Sequence, residues 1–347
     1  MAMTASSGAS QDDGSQQPAG QSERSPFARL TELLAPHQPG KPLIMLSLGE
    51  PQHPIPAFVG PVLAKNLADF GRYPLARGIE PFRRAAANWL GTRFKLPRAI
   101  DPDTELLVLN GSREGLFFAA ITAARMAGKE RPAILMPNPF YPAYGAGARA
   151  AGCEAIFLPT TLANGFLPDL DALDDATLAR TVAIYLASPA NPQGAVASRD
   201  YFTRLKQLAD RFGFMVLSDE CYSEIYTQAA PGSMLECAGP DFANVVAFQS
   251  LSKRSNLPGM RVGFAAGDKK FLTMFHELRN VAAPQVPVPL QQVAIAAYGD
   301  EAHVEENRRL YRIKFDLADQ ILGNRYGYRR PAGGFCVWLD VSERGGD

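Results

Sequence analysis

Residues 245–261 read VVAFQSLSKRSNLPGMR. The stretch opens with four apolar residues, Val245–Phe248, a run of strand length without an interruption. Such a run predicts a strand that is buried on both faces, as in the middle of a parallel sheet. The polar segment that follows contains Lys253 and, eight residues later, Arg261. In α/β sheets ligands bind at the carboxyl ends of the strands, so this segment is predicted to form part of an active site.

Similar apolar runs occur earlier in the chain and alternate with longer helical patterns. The predicted strands are Leu106–Leu109, Ala133–Met136, Val182–Ala187 and Phe214–Leu217. The predicted helices lie between them, at 113–127, 141–151 and 198–213. This alternation predicts right-handed crossovers and a mostly parallel α/β sheet.

Composition limits the kind of partner. The chain has 347 residues, enough for about two domains, and 46% of them are hydrophobic. Lys and Arg number 35, as do Asp and Glu, so the formal net charge is zero. This balance argues against a nucleic acid or an anionic membrane as the main partner. The sequence has no run of 18 apolar residues and no secretory pattern at its start, and a soluble cytoplasmic protein is expected.

Cysteine and histidine spacing predicts neither a disulfide framework nor a metal site. The four cysteines contain no C-x-x-C pair, and they are Cys153, Cys221, Cys237 and Cys336. Reduced, mostly buried thiols are therefore expected. The four histidines show no H-E-x-x-H spacing, and they are His37, His53, His276 and His303. This pattern predicts no metal ligand set.

The first 24 residues differ from the rest. Residues 1–24 are rich in Ser, Gln, Gly and Ala and have almost no large apolar side chains. They cannot bury enough surface to offset the entropy of ordering, so a disordered tail is expected. Structure is predicted to start at Ser25 and Pro26, a capping residue followed by a residue that suits the first helical turn.

Polar segments also follow the earlier predicted strands. Residues 110–115 read NGSREG, and Gly and Ser at a helix start can aim free N–H groups at a phosphate. An ordinary strand-to-helix turn is the alternative. Residues 188–194 read SPANPQG, in which two prolines and a glycine predict a rigid turn. The turn is either purely structural or holds Asn191 toward a ligand as a side-chain donor.

Two further segments contain groups that suit an aldehyde cofactor. Residues 218–222 read SDECY, in which Asp219 is either a helix cap or a carboxylate opposite a pyridine nitrogen. Tyr222 can reach the same ligand with its phenol. Lys253 is either a solvated surface charge or, with a lowered pKa, an amine that forms a Schiff base. Arg261 and the serines beside Lys253 suit a phosphate.

Together these segments resemble the class I and II aminotransferases, fold type I of the pyridoxal 5′-phosphate (PLP) enzymes. The S-x-S-K…R segment, the S-P-x-N-P-x-G turn and the S-D-E-x-Y strand end occur in the family's order, and the resemblance spans about residues 25–340. It implies a large PLP-binding domain over 56–288 with a mostly parallel seven-stranded sheet. A smaller α+β domain would combine 25–55 with 289–347, the latter part incomplete.

The resemblance also implies roles around the cofactor ring. Lys253 would bind PLP covalently and shuttle the proton at the substrate Cα. Asp219 would pair with the pyridinium nitrogen, and Tyr222 and Asn191 would hydrogen-bond the ring 3′-oxygen. Tyr141, in the segment NPFY at 138–141, would stack on the ring.

Further implied roles concern the phosphate, the substrate and a second subunit. Five residues would bind the phosphate, namely Ser112, Arg113, Ser250, Ser252 and Arg261. Tyr73 would reach the phosphate of the neighbouring subunit, which implies a homodimer. Gly49 would lie against the substrate carboxylate.

Closer matches resemble the succinyldiaminopimelate aminotransferases of bacterial lysine biosynthesis. They are GEPQHP at 49–54, NGSRE at 110–114, NPFY at 138–141 and KRSNLPGMR at 253–261. This resemblance implies amino transfer from glutamate to N-succinyl-2-amino-6-oxopimelate. Another class I aminotransferase of the aspartate, alanine or aromatic type and a same-fold PLP lyase or decarboxylase are the alternatives. A PLP-sensing regulator would carry a DNA-binding domain before this fold, for which residues 1–24 are too short and too polar.

The end of the chain departs from the family. Members usually continue for several dozen residues beyond the strand that matches 333–338, and that stretch carries an Arg that clamps the substrate α-carboxylate. Here the sequence stops at Asp347, and no arginine, including Arg344, matches the clamp. A bidentate carboxylate clamp is a strong polar contact. If the chain is complete, it is therefore expected to bind PLP and to turn over amino acids poorly.

Overall fold

The computed structural model describes residues 26–46 and 49–342. The predicted tail at 1–24, Ser25 and Arg344 lie outside these ranges. The chain divides into two compact units, Met1–Leu48 and Gly49–Asp347. The described part of the first unit contains helix α1, Pro26–Leu34, with a proline at its first position as predicted. The predicted domain boundaries at 55/56 and 288/289 stay a prediction.

The second unit contains a seven-stranded sheet and the remaining described helices. The strands are β1 Leu106–Leu109, β2 Ala133–Asn138, β3 Glu154–Pro159, β4 Thr181–Ala187, β5 Met215–Asp219, β6 Val245–Ser250 and β7 Gly263–Gly267. The helices are α2 Val59–Lys65, α3 Glu80–Arg93, α4 Ser112–Ala127, α5 Pro142–Ala150, α6 Asp175–Arg180, α7 Arg199–Phe212, α8 Leu251–Arg254, α9 Lys269–Ala282, α10 Val288–Tyr298 and α11 Ala302–Leu322. The five predicted strands and the three predicted helices are confirmed, with ends that differ by a few residues.

Strand order decides which loops meet. The order is β1-β7-β6-β5-β4-β2-β3. Both neighbours of β7 pair with it antiparallel, whereas the other neighbouring pairs are parallel. The prediction of a mostly parallel seven-stranded α/β sheet is therefore confirmed. Because only β7 is reversed, the carboxyl ends of the other six strands lie at one edge, and β7 begins at that edge.

Two strands were not predicted from the sequence. β7 reads GFAAG and is buried along its whole length between β1 and β6. Its glycines and alanines lack the large branched side chains that mark a buried strand in a sequence. β3, by contrast, is the edge strand beside β2, and most of its residues are partly or fully accessible.

Helices cover both faces of the sheet. Leu106 and Val108 of β1 belong to one buried cluster, which includes residues of α3, α7 and α10. Leu107 and Leu109 belong to a second cluster, which includes residues of α4, α5 and α9. Because successive strand residues point to opposite faces, this division confirms a sheet buried on both sides.

The segment at 333–338 differs from the family strand that it resembles. Gly333 forms one isolated antiparallel bridge with Tyr226, and the described residues that follow it form no ladder. A strand needs a neighbour along its length to pair its N–H and C=O groups, and this bridge satisfies one position. Among the described helices, none combines the length and the apolar character that crossing a bilayer requires.

Candidate active site

The polar segments predicted from the sequence meet at one edge of the sheet. β4 and β5 are in register through Ala187 and Asp219, which end the two strands. Ser250, at the end of β6, is opposite Gly263 of β7, and Leu109 of β1 is opposite the same glycine. Neighbouring strands are about 4.8 Å apart, so residues that follow these ends can contact one ligand.

Lys253 lies in the short helix α8, directly after β6, and its side chain is half-buried. Its Nζ donates a hydrogen bond to the carbonyl oxygen of Gly49. The same nitrogen lies 5.0 Å from the ring centre of Phe335 and 5.7 Å from that of Tyr222. Burial lowers the pKa of the Lys253 amine, and nearby acidic groups only partly oppose this effect. A lowered pKa increases the neutral fraction, which is the form that attacks an aldehyde.

Side chains distant in sequence anchor the backbone at Lys253. Asn307 of α11 donates from Nδ2 to the Lys253 carbonyl at 3.2 Å. The Asn307 Oδ1 is 2.7 Å from Nδ1 of His53. No local pattern singles out either residue, because both contacts join segments that are far apart along the chain.

Asp219 ends β5 and presents its carboxylate to this edge of the sheet. Its Oδ2 accepts a hydrogen bond from the Tyr144 hydroxyl at 2.7 Å, and its Oδ1 accepts one from the Cys221 N–H at 3.2 Å. Tyr144 lies on α5 and was not among the predicted site residues. The available signal was its position three residues after Tyr141, since residues at that spacing share a helix face.

The Tyr222 ring contacts Phe335 edge-on, with ring centres 5.4 Å apart. Burial raises the pKa of the Tyr222 hydroxyl well above its usual value. The hydroxyl therefore stays protonated at ordinary pH, and it can donate a hydrogen bond to an anionic oxygen. Phe335 also faces Lys253, so its ring forms one wall of the site.

Asn191 lies in the turn at 188–194, which connects β4 to the segment before α7. The N–H of Ala190 donates to Ala195, and the N–H of Gly194 donates to Ala190, both at 2.7 Å. Gly194 has φ +76°, and a Cβ there would lie 2.5 Å from the Gly333 carbonyl oxygen. The turn is thus held against the segment that carries Phe335 and Cys336, and Sγ of Cys336 is 4.0 Å from Asn191 Oδ1.

A corner suited to an anion lies at the start of α4. Gly111 caps this 16-residue helix without a side-chain hydrogen bond, so the first N–H groups of the helix can bind an anion. Gly111 has φ +80°, and a Cβ on it would lie 2.8 Å from Cζ of Arg261. Arg261 is exposed and donates from Nη1 to the Pro258 carbonyl at 3.0 Å. At the end of β6, Ser250 Oγ lies 2.9 Å from Ser252 Oγ of α8.

Buried charges support this corner. Glu114, on the first turn of α4, accepts a hydrogen bond from the Asn110 N–H at 2.9 Å. It also forms an ion pair with Arg279 of α9, whose side chain is buried. The turn between β1 and α4 is therefore attached to α9, and its backbone N–H groups have a defined direction.

Arg113 has a different contact from the one implied by its predicted role. Its Nε donates to the Tyr141 hydroxyl at 2.6 Å, whereas the resemblance assigned its side chain and backbone to the phosphate. Tyr141 precedes α5 and forms an edge contact with Tyr144, with ring centres 5.7 Å apart. The Arg113 backbone N–H remains in the first turn of α4.

Tyr73 stands apart from the other predicted residues. Its relative accessibility is 102%, so within this chain it is not packed against the site. Gly49, in contrast, is brought to the site through its carbonyl oxygen, which accepts from Lys253. The structure thus brings together every predicted site residue except Tyr73.

These groups match the chemistry of PLP. An amine with a lowered pKa suits its aldehyde, a carboxylate suits its pyridine nitrogen, a phenol and an amide suit its ring oxygen, and the corner at Gly111 and Arg261 suits its phosphate. The fold and this donor set define a PLP-dependent enzyme.

The chain belongs to the family described as aminotransferase class I and II, which matches residues 41–344. It is therefore an aminotransferase and uses PLP, as predicted. It is 34% identical over 322 residues to the LL-diaminopimelate aminotransferase of Desulforudis audaxviator, covering 91% of this chain and 80% of that protein.

Solved structures agree with this assignment. An aminotransferase from Neisseria meningitidis superposes with a TM-score of 0.86 at 38% identity, covering 93% of this chain and 83% of that one. A probable N-succinyldiaminopimelate aminotransferase from Thermus thermophilus superposes with a TM-score of 0.75 at 28% identity, covering 83% of this chain and 77% of that one.

Proposed function

We propose that this aminotransferase transfers the amino group of glutamate to N-succinyl-2-amino-6-oxopimelate, with Lys253 as the residue that binds PLP. The role of Lys253 is supported chiefly by its half-buried amine, whose pKa is lowered by burial and which lies beside the rings of Tyr222 and Phe335. The substrate is supported by the matches at 49–54, 110–114 and 253–261. It is also supported by relatives whose names contain diaminopimelate or N-succinyldiaminopimelate.

Different side chains at the sheet edge have different roles in the proposed reaction. When bound, PLP supplies an aldehyde that condenses with amines and a pyridinium ring that withdraws electrons from the substrate Cα. Lys253 would hold the cofactor through its amine and would remove and return the proton at the substrate Cα as a general base and acid. Asp219 would pair with the ring nitrogen and would favour the protonated form of that nitrogen.

Other side chains hold the ring and the phosphate. Tyr222 and Asn191 would donate hydrogen bonds to the 3′-oxygen, and the Tyr141 ring would stack on the pyridine. The phosphate would be bound by the first turn of α4 with its residues Ser112 and Arg113, and by Ser250, Ser252 and Arg261. Gly49 would lie against the substrate carboxylate.

We also propose that the protein is a homodimer. Tyr73 is fully accessible within one chain, and we assign its hydroxyl to the phosphate of the neighbouring subunit. A mixed-dimer experiment tests this role. Lys253→Ala subunits, with or without Tyr73→Phe, are combined with unaltered subunits, and cofactor affinity is measured at the single intact Lys253. Weakened affinity is expected only when the partner subunit carries the Tyr73 substitution.

Borohydride reduction tests the role of Lys253. The protein is reduced with PLP bound, and the pyridoxyl label is located by peptide mapping and intact mass. The expected label is on Lys253, and Lys253→Ala should lose both the label and the yellow colour. Lys269→Ala, which removes an exposed lysine at the start of α9, is the matched control. A label on another lysine, or none, would refute the assignment.

Substrate preference requires a direct comparison. With 2-oxoglutarate as acceptor, kcat/KM is measured for N-succinyl-LL-2,6-diaminopimelate and for LL-diaminopimelate as amino donors. We expect at least about a 10-fold preference for the succinylated donor, the size of a discrimination of about 1.4 kcal/mol. A preference for LL-diaminopimelate would instead indicate the substrate that appears in the names of its relatives. Pyridoxamine phosphate formed after mixing with glutamate alone distinguishes transamination from a lyase reaction.

A further inference from the structure

The Asp219 carboxylate lies beside buried polar groups. Burial raises the pKa of the neighbouring Cys221 thiol and of the Tyr222 hydroxyl well above their usual values. A carboxylate keeps one orientation when hydrogen-bond donors bind its two oxygens. Two donors to it are present in the described part of the chain, the Tyr144 hydroxyl and the Cys221 N–H.

We propose that Tyr144 is a positioning residue, which holds the Asp219 carboxylate in the orientation that contacts the cofactor ring nitrogen. This inference rests on the role proposed above for Asp219. The Tyr144 hydroxyl donates to Oδ2, while the Cys221 N–H occupies Oδ1. Each oxygen thus keeps lone pairs for the ring nitrogen, and the two donors restrict rotation of the carboxylate.

Tyr144 itself is rigidly held. Its side chain is 1% accessible, and its ring stacks on Tyr185 with centres 4.2 Å apart and an interplanar angle of 6°. The Tyr185 hydroxyl donates to the Leu116 carbonyl of α4 at 2.6 Å. A donor with a fixed ring loses little entropy when it binds its acceptor, as a supporting contact in an active site requires.

The Tyr144 hydroxyl acts only as a donor. Burial raises its pKa well above the usual value, so the hydroxyl stays protonated at ordinary pH. Its hydrogen bond to the ionised carboxylate is charge-assisted, a kind stronger than a bond between neutral groups.

Tyr144→Phe tests this role with Tyr185→Phe as the matched control. Each substitution removes one hydroxyl from the same stacked ring pair, but only Tyr144 contacts Asp219. Tyr144→Phe should weaken cofactor affinity about 10-fold, as for loss of a charge-assisted hydrogen bond, whereas Tyr185→Phe should stay within about 2-fold. The midpoint of the pH titration of the cofactor's visible absorbance should move by about 0.5 pH unit or more toward that of Asp219→Asn.

A structural role alone would give a different result. In that case both phenylalanine variants would lose similar thermal stability, while cofactor affinity and the absorbance titration would match the parent in both. Such a result would overturn the inference. Tyr144→His, which keeps an aromatic N–H donor, should recover part of the affinity lost in Tyr144→Phe, and recovery of none would count equally against it.

The role of Tyr144 and the proposed function can be refuted independently of each other. Borohydride labelling of the Tyr144→Phe protein at saturating PLP reports on Lys253 alone. A label on Lys253 together with unchanged affinity and titration refutes only the role of Tyr144. A missing label on Lys253 in the parent protein refutes the proposed function.

Discussion

The guanidinium of Arg261 packs directly against Gly111, so that a Cβ added to Gly111 would lie 2.8 Å from Cζ of the arginine. The two residues flank the paired strands β1 and β7, and the reversed direction of β7 brings them together. Gly111 also has φ +80°. The corner proposed for the phosphate therefore has no room for a side chain at this position.

Gly111→Ala should weaken PLP binding strongly. The new methyl group must displace Arg261, and the positive φ adds strain of about 1–3 kcal/mol. We expect cofactor affinity to fall at least about 10-fold, the loss expected for one misplaced charged contact, as measured by equilibrium titration of the apoprotein.

Gly128→Ala is the matched control for this change. Gly128 caps the other end of α4, has φ +57° and has nothing within 4 Å of an added Cβ. It should lower stability by about 1 kcal/mol and leave cofactor affinity unchanged. Equal losses of affinity in the two variants would show that strain in α4, and not the contact with Arg261, is responsible.

Arg113 and Tyr141 should be energetically coupled. Arg113→Ala removes the donor to the Tyr141 hydroxyl at 2.6 Å, and we expect PLP affinity to fall about 3- to 10-fold, because the Tyr141 ring loses its support. Tyr141→Phe should cause a similar loss, and the double variant should lose little more than either one. Arg125→Ala, an exposed arginine on the same helix, should have no effect. Additive losses would argue that the two residues act independently.

The Lys253 amine should react at lower pH than an ordinary lysine. Burial lowers its pKa, so the neutral amine is present at pH values where a free lysine is still protonated. Competitive acetylation of the apoprotein, followed by peptide mapping, measures its reactivity as a function of pH. The midpoint for Lys253 should lie below that of N-acetyl-lysine methylamide in the same tube. A midpoint at or above that reference would contradict the predicted direction.

Glu220 should make stability depend on pH near neutrality. It is fully buried, and burial raises its pKa from 4.5 to about 7. Four described donors surround it, namely Ser218, Ser233, Met234 and Gln249. Between pH 4.5 and about 7 the folded chain retains a proton that the unfolded chain releases. The free energy of unfolding should therefore fall across this window by up to about 3 kcal/mol and level off above it.

Glu220→Gln isolates this contribution. The substitution keeps the shape of the side chain and removes its titration, so the difference in unfolding free energy between variant and parent should grow in the variant's favour from about pH 5 to about pH 8. Urea unfolding at the two pH values measures it. Glu277→Gln, at an exposed position on α9, should show no such trend. Parallel pH dependence of the parent and Glu220→Gln would show that Glu220 titrates like an exposed carboxyl.

Prediction from the sequence succeeded where a signal is local. Buried parallel strands read as continuous apolar runs, and the polar segments directly after them carry the residues that the structure gathers at one sheet edge. β7 was missed because GFAAG has little apolar bulk. Three residues were also missed because their contacts join distant parts of the chain. Tyr144 contacts Asp219, 75 positions away. Asn307 contacts Lys253, 54 positions away, and His53 contacts Asn307, 254 positions away.

By itself the sequence determined the family and the α/β class, since motif spacing and strand periodicity are local features of the chain, and it predicted the identity of the reactive groups. Only the tertiary structure decided that β7 runs in reverse and so brings Arg261 to Gly111. It also decided which hydroxyl supports Asp219 and that Arg113 contacts Tyr141. The physical reason is that strand order and side-chain packing depend on how segments distant in sequence bury their apolar surface against one another. A short stretch of sequence contains no information about these contacts.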